Sequence, residues 1–254
     1  MLHVRRFGSG PPLVALHGFT LTGAQFESAA TLLSRTIHAP DLPGHGFSAG
    51  ESADFSTTVS TVASMVSTFG GETPLLGYSM GARIALGVAI DQPESVPALI
   101  VISGTPGIDE ATQRNKRIVS DAALLETLRR QPVEEFLETW TSTGITDTSH
   151  LQDSVRATDR IVRGQNTSSG LADALAGLGQ GVQPSLWSQL DRLTMSVLLV
   201  HGERDAKYTE VARRMSQSIP DCHVIQIATA GHNPLLDDPE ETYGEISAFL
   251  DGLG

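Results

Sequence analysis

Residues 73–90 read TPLLGYSMGARIALGVAI. The opening is apolar and of strand length, the end is helical in composition, and Gly77-Tyr78-Ser79-Met80-Gly81 joins them as G-x-S-x-G. A serine between a strand and a helix, flanked by residues small enough for a sharp turn, is a nucleophile elbow that holds its hydroxyl at the carboxyl end of a sheet. The pentapeptide alone also fits a buried turn serine; the strand before it and the helix after it single out the elbow.

Further apolar runs lie at 12–17 (PLVALH), 36–41 (TIHAPD), 98–103 (ALIVIS), 196–202 (SVLLVHG) and 222–228 (CHVIQIA), and the N-terminal MLHVRRFGSGPPLVALHGF reads as the first strands. The runs are continuous rather than alternating, as in strands buried on both faces of a mostly parallel sheet. Helix-like segments at 24–34, 57–69, 81–92, 207–218 and 239–252 separate them. The alternation predicts an α/β fold with crossovers on both faces. Residues 106–189 break the rhythm with amphipathic segments such as 109–130 and 132–141, no strand, and helix breaks predicted at NTSSG (166–170) and GLGQG (177–181). The expected organisation is a core of residues 1–105 and 190–254. Residues 106–189 would form an all-helical cap inserted between strands, over the carboxyl edge where such sheets bind ligands.

A length of 254 residues suits one large domain with an insertion better than two domains. With 40% hydrophobic and 18% charged residues the chain is neither disordered nor fibrous. The single cysteine, Cys222, excludes an internal disulfide and a multi-cysteine metal site, and a reducing, cytoplasmic compartment is expected. Cys222 itself begins an apolar run and reads as a packed strand residue. The formal net charge of -12 argues against nucleic acid and anionic membrane surfaces as partners. No segment approaches the ~18 apolar residues of a membrane span, so no membrane insertion is expected. LVAL near the N-terminus falls short of a secretion signal's apolar region of roughly 7–15 residues, which leaves the sequon at Asn166 without significance. A monomer is the expected state.

A nucleophilic or basic serine needs a base, and the base needs an acid to orient it. In this architecture the chain order is Ser, then Asp or Glu, then His. His232, in ATAGHNP, follows the last apolar run, and Asp205, in HGERDAK, follows the preceding one. Glu203, Asp237 and Asp238 are neighbouring alternatives for the acid. An oxyanion hole would use the backbone N–H of Met80, after the serine, and one from His17-Gly18-Phe19, with Phe19 the choice. His17 either organises that loop or is an ordinary satisfied histidine. LPGHG (42–46) adds a Gly-rich loop, but neither G-x-G-x-x-G nor a P-loop occurs, so nucleotide phosphate is not indicated. No metal and no organic cofactor is expected.

Arg83 lies four residues after Ser79, one turn along the elbow helix and on the same face. A cation in a first turn opposes the helix dipole by roughly 0.3–1 kcal/mol, so either a bound anion or a neighbouring carboxylate accounts for it. Arg117 has Asp121 at i+4 and could be a surface pair; Arg156, Arg160 and Arg163 form one stripe that could be a solvated face. Arginines gathered at one pocket of an acidic chain would suit a polycarboxylate. Trp187, in QPSLW, reads as an anchor for the insertion's return to the sheet.

HGF (17–19), DLPGHGFS (41–48), GYSMG (77–81), GERD (202–205) and AGHN (230–233) together resemble the α/β-hydrolase superfamily. Ser79 in place of Asp argues against its dehalogenase branch. A narrower resemblance is to the MenH family of menaquinone biosynthesis, carried by GYSMGAR (77–83), RNKRIVSD (114–121), FLETW (136–140), RGQN (163–166), VQPSLW (182–187), HGERDAKY (201–208) and CHVIQIATAGHN (222–233). It implies a cofactor-free lyase that eliminates pyruvate from 2-succinyl-5-enolpyruvyl-6-hydroxy-3-cyclohexene-1-carboxylate, giving 2-succinyl-6-hydroxy-2,4-cyclohexadiene-1-carboxylate on the way to menaquinone or phylloquinone. It also implies a triad of Ser79, His232 and Asp205, with Arg83, Arg117 and Arg163 on the substrate's carboxylates and Tyr78 and Trp140 beside them. Ala82 stands where the family often has glycine, and the choice of Arg163 over Arg156 or Arg160 rests on the RGQN context. Two other readings stay open: a serine hydrolase of an ester or of a carbon–carbon bond in a ring-cleavage product, and a non-catalytic binding protein.

Overall fold

Leu13 and Ala15 sit on one face of a sheet and Val14 and Leu16 on the other, yet all four are buried. A strand buried on both sides needs helices on both sides, and that requirement organises the molecule. The computed structural model describes residues 1–69 and 73–253. Its seven strands are β1 (Val4–Phe7), β2 (Pro12–Leu16), β3 (Thr36–Pro40), β4 (Leu75–Tyr78), β5 (Ala98–Ile102), β6 (Ser196–Gly202) and β7 (Cys222–Ile227). They form one sheet in the order β1-β3-β2-β4-β5-β6-β7. β1 pairs antiparallel with β3, Val4 opposite Pro40, and the other neighbouring pairs are parallel.

The helices are α1 (Ala29–Leu32), α2 (Phe55–Ser67), α3 (Met80–Asp91), α4 (Ala111–Arg130), α5 (Val133–Trp140), α6 (Asp153–Arg163), α7 (Ser168–Leu178), α8 (Ala206–Ser216), α9 (Pro234–Asp237) and α10 (Pro239–Asp251). Val62, Leu86 and Met215 of α2, α3 and α8 pack with Val14, Leu99 and Val197 on one face. Ala29, Tyr243 and Ile246 of α1 and α10 pack with Leu13, Ile100 and Leu198 on the other. Each such apolar side chain taken fully out of water stabilises the fold by about 1.5–3 kcal/mol.

Two helix expectations are corrected. The segment 24–34 is a 3-10 turn (Gly23–Phe26) followed by the four-residue α1, because a Cβ at Gly23 would lie 2.3 Å from the Ala39 carbonyl oxygen and the chain must hug β3 there. NTSSG breaks the chain only at Asn166 and Thr167. Thr167 Oγ1 accepts the N–H of Gly170, so Ser168–Gly170 open α7 rather than interrupt it.

Helices α4 to α7 lie between β5 and β6 and contain their own cluster, in which Leu128, Val133, Phe136 and Leu171 are buried together. The two ends of this stretch are tied. Leu186 N–H donates to the Pro106 carbonyl at 2.7 Å, Trp187 Nε1 donates to the Gly107 carbonyl at 2.9 Å, and Arg214 stacks 3.7 Å over the indole.

From β2 the chain moves outward to β3 and then returns to β4 on the other side of β2. The crevice past the carboxyl ends of β2 and β4 is therefore the sheet's switch point, where an open α/β sheet holds its ligand. It is closed tightly. A Cβ on Gly81 would lie 2.1 Å from the Leu16 carbonyl oxygen, and Gly81 N–H donates to His17 O at 3.0 Å. Gly81→Ala must therefore part α3 from β2, with an expected loss of about 3 kcal/mol in urea denaturation. Gly50→Ala, where a Cβ meets nothing within 4 Å, should change stability by less than about 0.5 kcal/mol.

Candidate active site

Ser79 stands between β4 and α3 at φ 50° and ψ −104°, a conformation held by the bond from its N–H to the Ile102 carbonyl at 2.9 Å. Its Oγ donates to His232 Nε2 at 3.1 Å, and His232 Nδ1 donates to Asp205 Oδ2 at 2.7 Å. Imidazole and carboxylate are both buried. Asp205 also caps α8, its Oδ1 accepting Tyr208 N–H at 3.2 Å. The alternative acids are engaged elsewhere. Glu203 accepts the N–H of Thr229, Asp238 caps α10, and Asp237 accepts Gly231 N–H at 2.6 Å and pairs with His150 at 2.9 Å.

Phe19 and Met80 line the cavity beside Ser79, and neither backbone amide donates to a protein acceptor among the described residues. The loop that carries Phe19 is clamped by two histidines. His17 Nδ1 donates to Gly18 O while its Nε2 accepts Leu42 N–H at 2.9 Å; His45 Nδ1 donates to Pro43 O while its Nε2 accepts Thr20 N–H. Each ring nitrogen is used in the neutral form, so His17 is both a satisfied histidine and an organiser of the loop. Burial pushes the pKa of His17 down to about 4, and burial with the neighbouring His17 pushes that of His45 down to about 3. Asp41 braces the adjoining loop by accepting the amides of Gly23 and Phe47 and two bonds from Arg5. Burial alone would raise its pKa, but Arg5 and those amides hold it below the usual carboxylate range.

The cavity measures about 560 Å³. Arg83, Arg117, Arg163, Tyr78 and Trp140 all line it. Arg83 is buried and its Nη1 donates to Gln183 Oε1 at 2.8 Å; it has no carboxylate partner among the described residues. Burial lowers its pKa to about 10, so it stays charged at neutral pH. Arg117 and Arg163 differ, each bonded through Nε to an aspartate one turn away on its own helix: Asp121 at 2.6 Å and Asp159 at 2.7 Å. Arg163 also donates to Thr20 Oγ1. Of the stripe on α6, Arg163 reaches this cavity; Arg156 and Arg160 are exposed, and Arg156 pairs with Asp153.

Trp140 meets the Phe19 ring edge-on at 5.5 Å and stacks on Phe136 at 5.7 Å, linking the helical insertion to the loop after β2. Asn166 makes a second link, donating to Thr20 O and accepting Gly46 N–H; buried in this way, it offers no glycan acceptor. Tyr78 sits under Gly18, and burial pushes its phenol pKa up. Trp187 does not line the cavity. Burial raises the Cys222 thiol to about 11, leaving it protonated.

Sequence reasoning missed four residues. Arg204 and Lys207 line the cavity on either side of Asp205. Tyr208 lies with its ring 4.6 Å from the His232 imidazole, and its hydroxyl accepts from Gln180 Nε2 while Gln180 Oε1 accepts from Arg117. Their signal was adjacency to Asp205 within RDAKY, and for Gln180 a place in the Gly-rich break after α7. Among the described residues no group of three or more His, Cys, Asp or Glu is placed to hold a metal ion.

An elbow serine at the switch point of a parallel sheet, relayed through histidine to an aspartate after a later strand, defines an α/β hydrolase. The alpha/beta hydrolase family model matches residues 13–245. The chain is 32% identical over 249 residues, 95% of its length and 90% of the relative's, to a Bacillus subtilis (strain 168) protein provisionally named as a 2-succinyl-6-hydroxy-2,4-cyclohexadiene-1-carboxylate synthase. It is 30% identical over 243 residues, 94% of each chain, to the 2-succinyl-6-hydroxy-2,4-cyclohexadiene-1-carboxylate synthase of Escherichia coli O1:K1 / APEC. The structure of MenH from S. aureus superposes with a TM-score of 0.93 at 26% identity, covering 100% of this chain and 99% of that one. The chain belongs to this MenH family of α/β hydrolases.

The clamping histidines make stability fall with acid. Both are neutral in the folded protein, whereas an unfolded chain takes up their protons as the pH drops through about 6.5. The contribution is complete above that pH and declines toward about 4 for His17 and about 3 for His45. At pH 5 each withholds about 2 kcal/mol relative to pH 7.5. Urea denaturation at the two pH values measures this, and His45→Gln should remove about half of the difference.

Proposed function

We propose that this chain eliminates pyruvate from 2-succinyl-5-enolpyruvyl-6-hydroxy-3-cyclohexene-1-carboxylate to form 2-succinyl-6-hydroxy-2,4-cyclohexadiene-1-carboxylate, with Ser79, His232 and Asp205 as the proton-abstracting triad. The observation that carries the assignment of the site is Arg83. It is a buried guanidinium without a carboxylate, one helical turn from the serine, in a cavity that holds further cations. Burying an unpaired charge is costly, and an anionic ligand offsets that cost.

Asp205 fixes the His232 tautomer, so that Nε2 accepts the Ser79 proton and leaves the oxygen basic. That oxygen takes the ring proton alpha to the succinyl ketone. The amides of Phe19 and Met80 stabilise the enolate oxygen as charge develops on it, a role worth about 2.7–4 kcal/mol per donor in acyl-transfer enzymes. The electron pair moves through the ring double bond and breaks the bond to the enolpyruvyl oxygen. The departing enolate takes up one proton to become pyruvate, which balances the proton removed. Arg83, Arg117 and Arg163 bind carboxylates, and Tyr78 and Trp140 shape the walls.

Residues 106–189 act as a cap, since α4, α5 and α7 supply cavity wall to a site whose relay lies in the sheet domain. Relay and cations all come from one chain, which suits a working monomer. A lone, unreactive Cys222 suits a cytoplasmic setting, and a charge of -12 suits a small-molecule substrate rather than nucleic acid.

Pyruvate release from freshly made enolpyruvyl precursor, coupled to lactate dehydrogenase, tests the reading. Ser79→Ala should lower kcat at least about 10³-fold with near-normal binding. Arg83→Ala should raise KM about 10- to 100-fold. Ester turnover that survives Arg83→Ala, with no pyruvate released by the wild type, would favour the hydrolase instead.

A further inference from the structure

The cavity's cations are of two kinds. Arg117 and Arg163 enter it with their charge matched by Asp121 and Asp159. Arg83, Arg204 and Lys207 enter it with no ion-pair partner among the described residues. The other carboxylates of the lining are committed: Asp205 to His232 and the α8 amide, Asp237 to His150 and Gly231 N–H, and Asp147 to the Ser149 amide in its own rim loop. The substrate assigned above carries three carboxylates, and three unmatched cations face them.

No carboxylate among the described residues pairs with the ammonium at position 207. Lys207 is the second residue of α8, at the positive end of that helix. Lys207 is exposed at the cavity mouth, and partial desolvation of its stem there, with Arg117 and Arg83 nearby, holds its pKa below the usual lysine range. Only Asp205 acts in the opposite direction, and it is already bonded to His232. The ammonium lies 5.1 Å from the centre of the Tyr208 ring, and that ring packs on the His232 imidazole. A cation kept there unpaired, two residues from the triad acid, is placed for a ligand's negative charge.

We propose that Lys207 is a substrate-binding residue, supplying the counter-charge for one carboxylate of the anionic substrate on the triad side of the cavity. The aspartate-paired Arg117 and Arg163 then act as oriented hydrogen-bond donors more than as net charge. The inference rests on the polycarboxylate reading of the same site.

Two measurements test it, each on wild type, Lys207→Gln and Lys207→Arg, with Lys116→Gln as a charge-matched control on the exposed side of α4. In the pyruvate assay Lys207→Gln should raise KM at least tenfold with kcat within threefold of wild type, and its KM should depend less on NaCl. Lys207→Arg should return KM to within threefold, and Lys116→Gln should behave as wild type. By calorimetry, Lys207→Gln should weaken the binding of citrate, a tricarboxylate probe, at least tenfold. A wild-type KM and wild-type citrate affinity in Lys207→Gln would overturn the proposal, as would a fall in kcat at unchanged KM. If the wild type releases no pyruvate but loses citrate affinity on Lys207→Gln, the anion-binding role stands and the assigned reaction falls. If the wild type neither releases pyruvate nor binds citrate, both fall.

Discussion

The carboxyl edge of the sheet depends on one backbone conformation, that of Ser79 at φ 50° and ψ −104°. A residue with a side chain costs on the order of 1–3 kcal/mol there and persists only where its surroundings over-determine it. Here they do. Ser79 N–H is bonded to β5, Gly81 N–H is bonded to the chain just past β2, and Gly77 and Gly81 remove the Cβ atoms that would push α3 away from β4 and from β2. Three strands are thereby locked to one helix start. From that lock follow the free amide of Met80, the outward hydroxyl and the placing of Arg83 one turn later. The strain is local, and it fixes an oxygen where the sheet's own geometry leaves a crevice.

The electrostatics run in two directions at different distances. A net charge of -12 repels anions over the surface as a whole, but at physiological ionic strength such fields fade within about 8 Å. Inside the cavity the screening is weaker, and cations come from α3, α4, α6 and the start of α8. Recognition of an anion is therefore a short-range event. The chain carries its positive charge where a ligand is already partly desolvated, and there each charge-assisted hydrogen bond counts for more than it would at the surface.

Much of this was legible in the sequence because a turn, a strand end and a chain order each leave a local mark. The elbow announces itself through Gly77 and Gly81, and Asp205 and His232 through their positions just past apolar runs. The continuous runs told correctly of burial on both faces for β2 to β6, but not for β7, which at the sheet's edge leaves His223, Val224 and Gln226 exposed. What stayed hidden depends on contacts across long stretches of chain. Asp159, four residues before Arg163, was in view as its partner, but nothing around Arg163 reveals that Thr20, far off in sequence, accepts its other bond. Gln180 joins Arg117 to Tyr208 only after the insertion has folded. The segment 24–34 kept a helical composition but had to press against Ala39, so tertiary packing overrode propensity.

The tied ends of the helical insertion have a consequence of their own. Pro106 and Leu186 are hydrogen-bonded neighbours, so everything between them leaves the sheet and returns to almost the same point. To the sheet, the insertion is a long loop whose closure is already secured, and lengthening such a loop is cheap, about 0.6 kcal/mol for each doubling. The insertion also carries a core of its own around Leu128, Phe136 and Leu171. A module with joined ends and a private core can be exchanged or remodelled over evolution while the relay beneath it stays unchanged. On such a scaffold, substrate range and reaction can diverge through the roof alone.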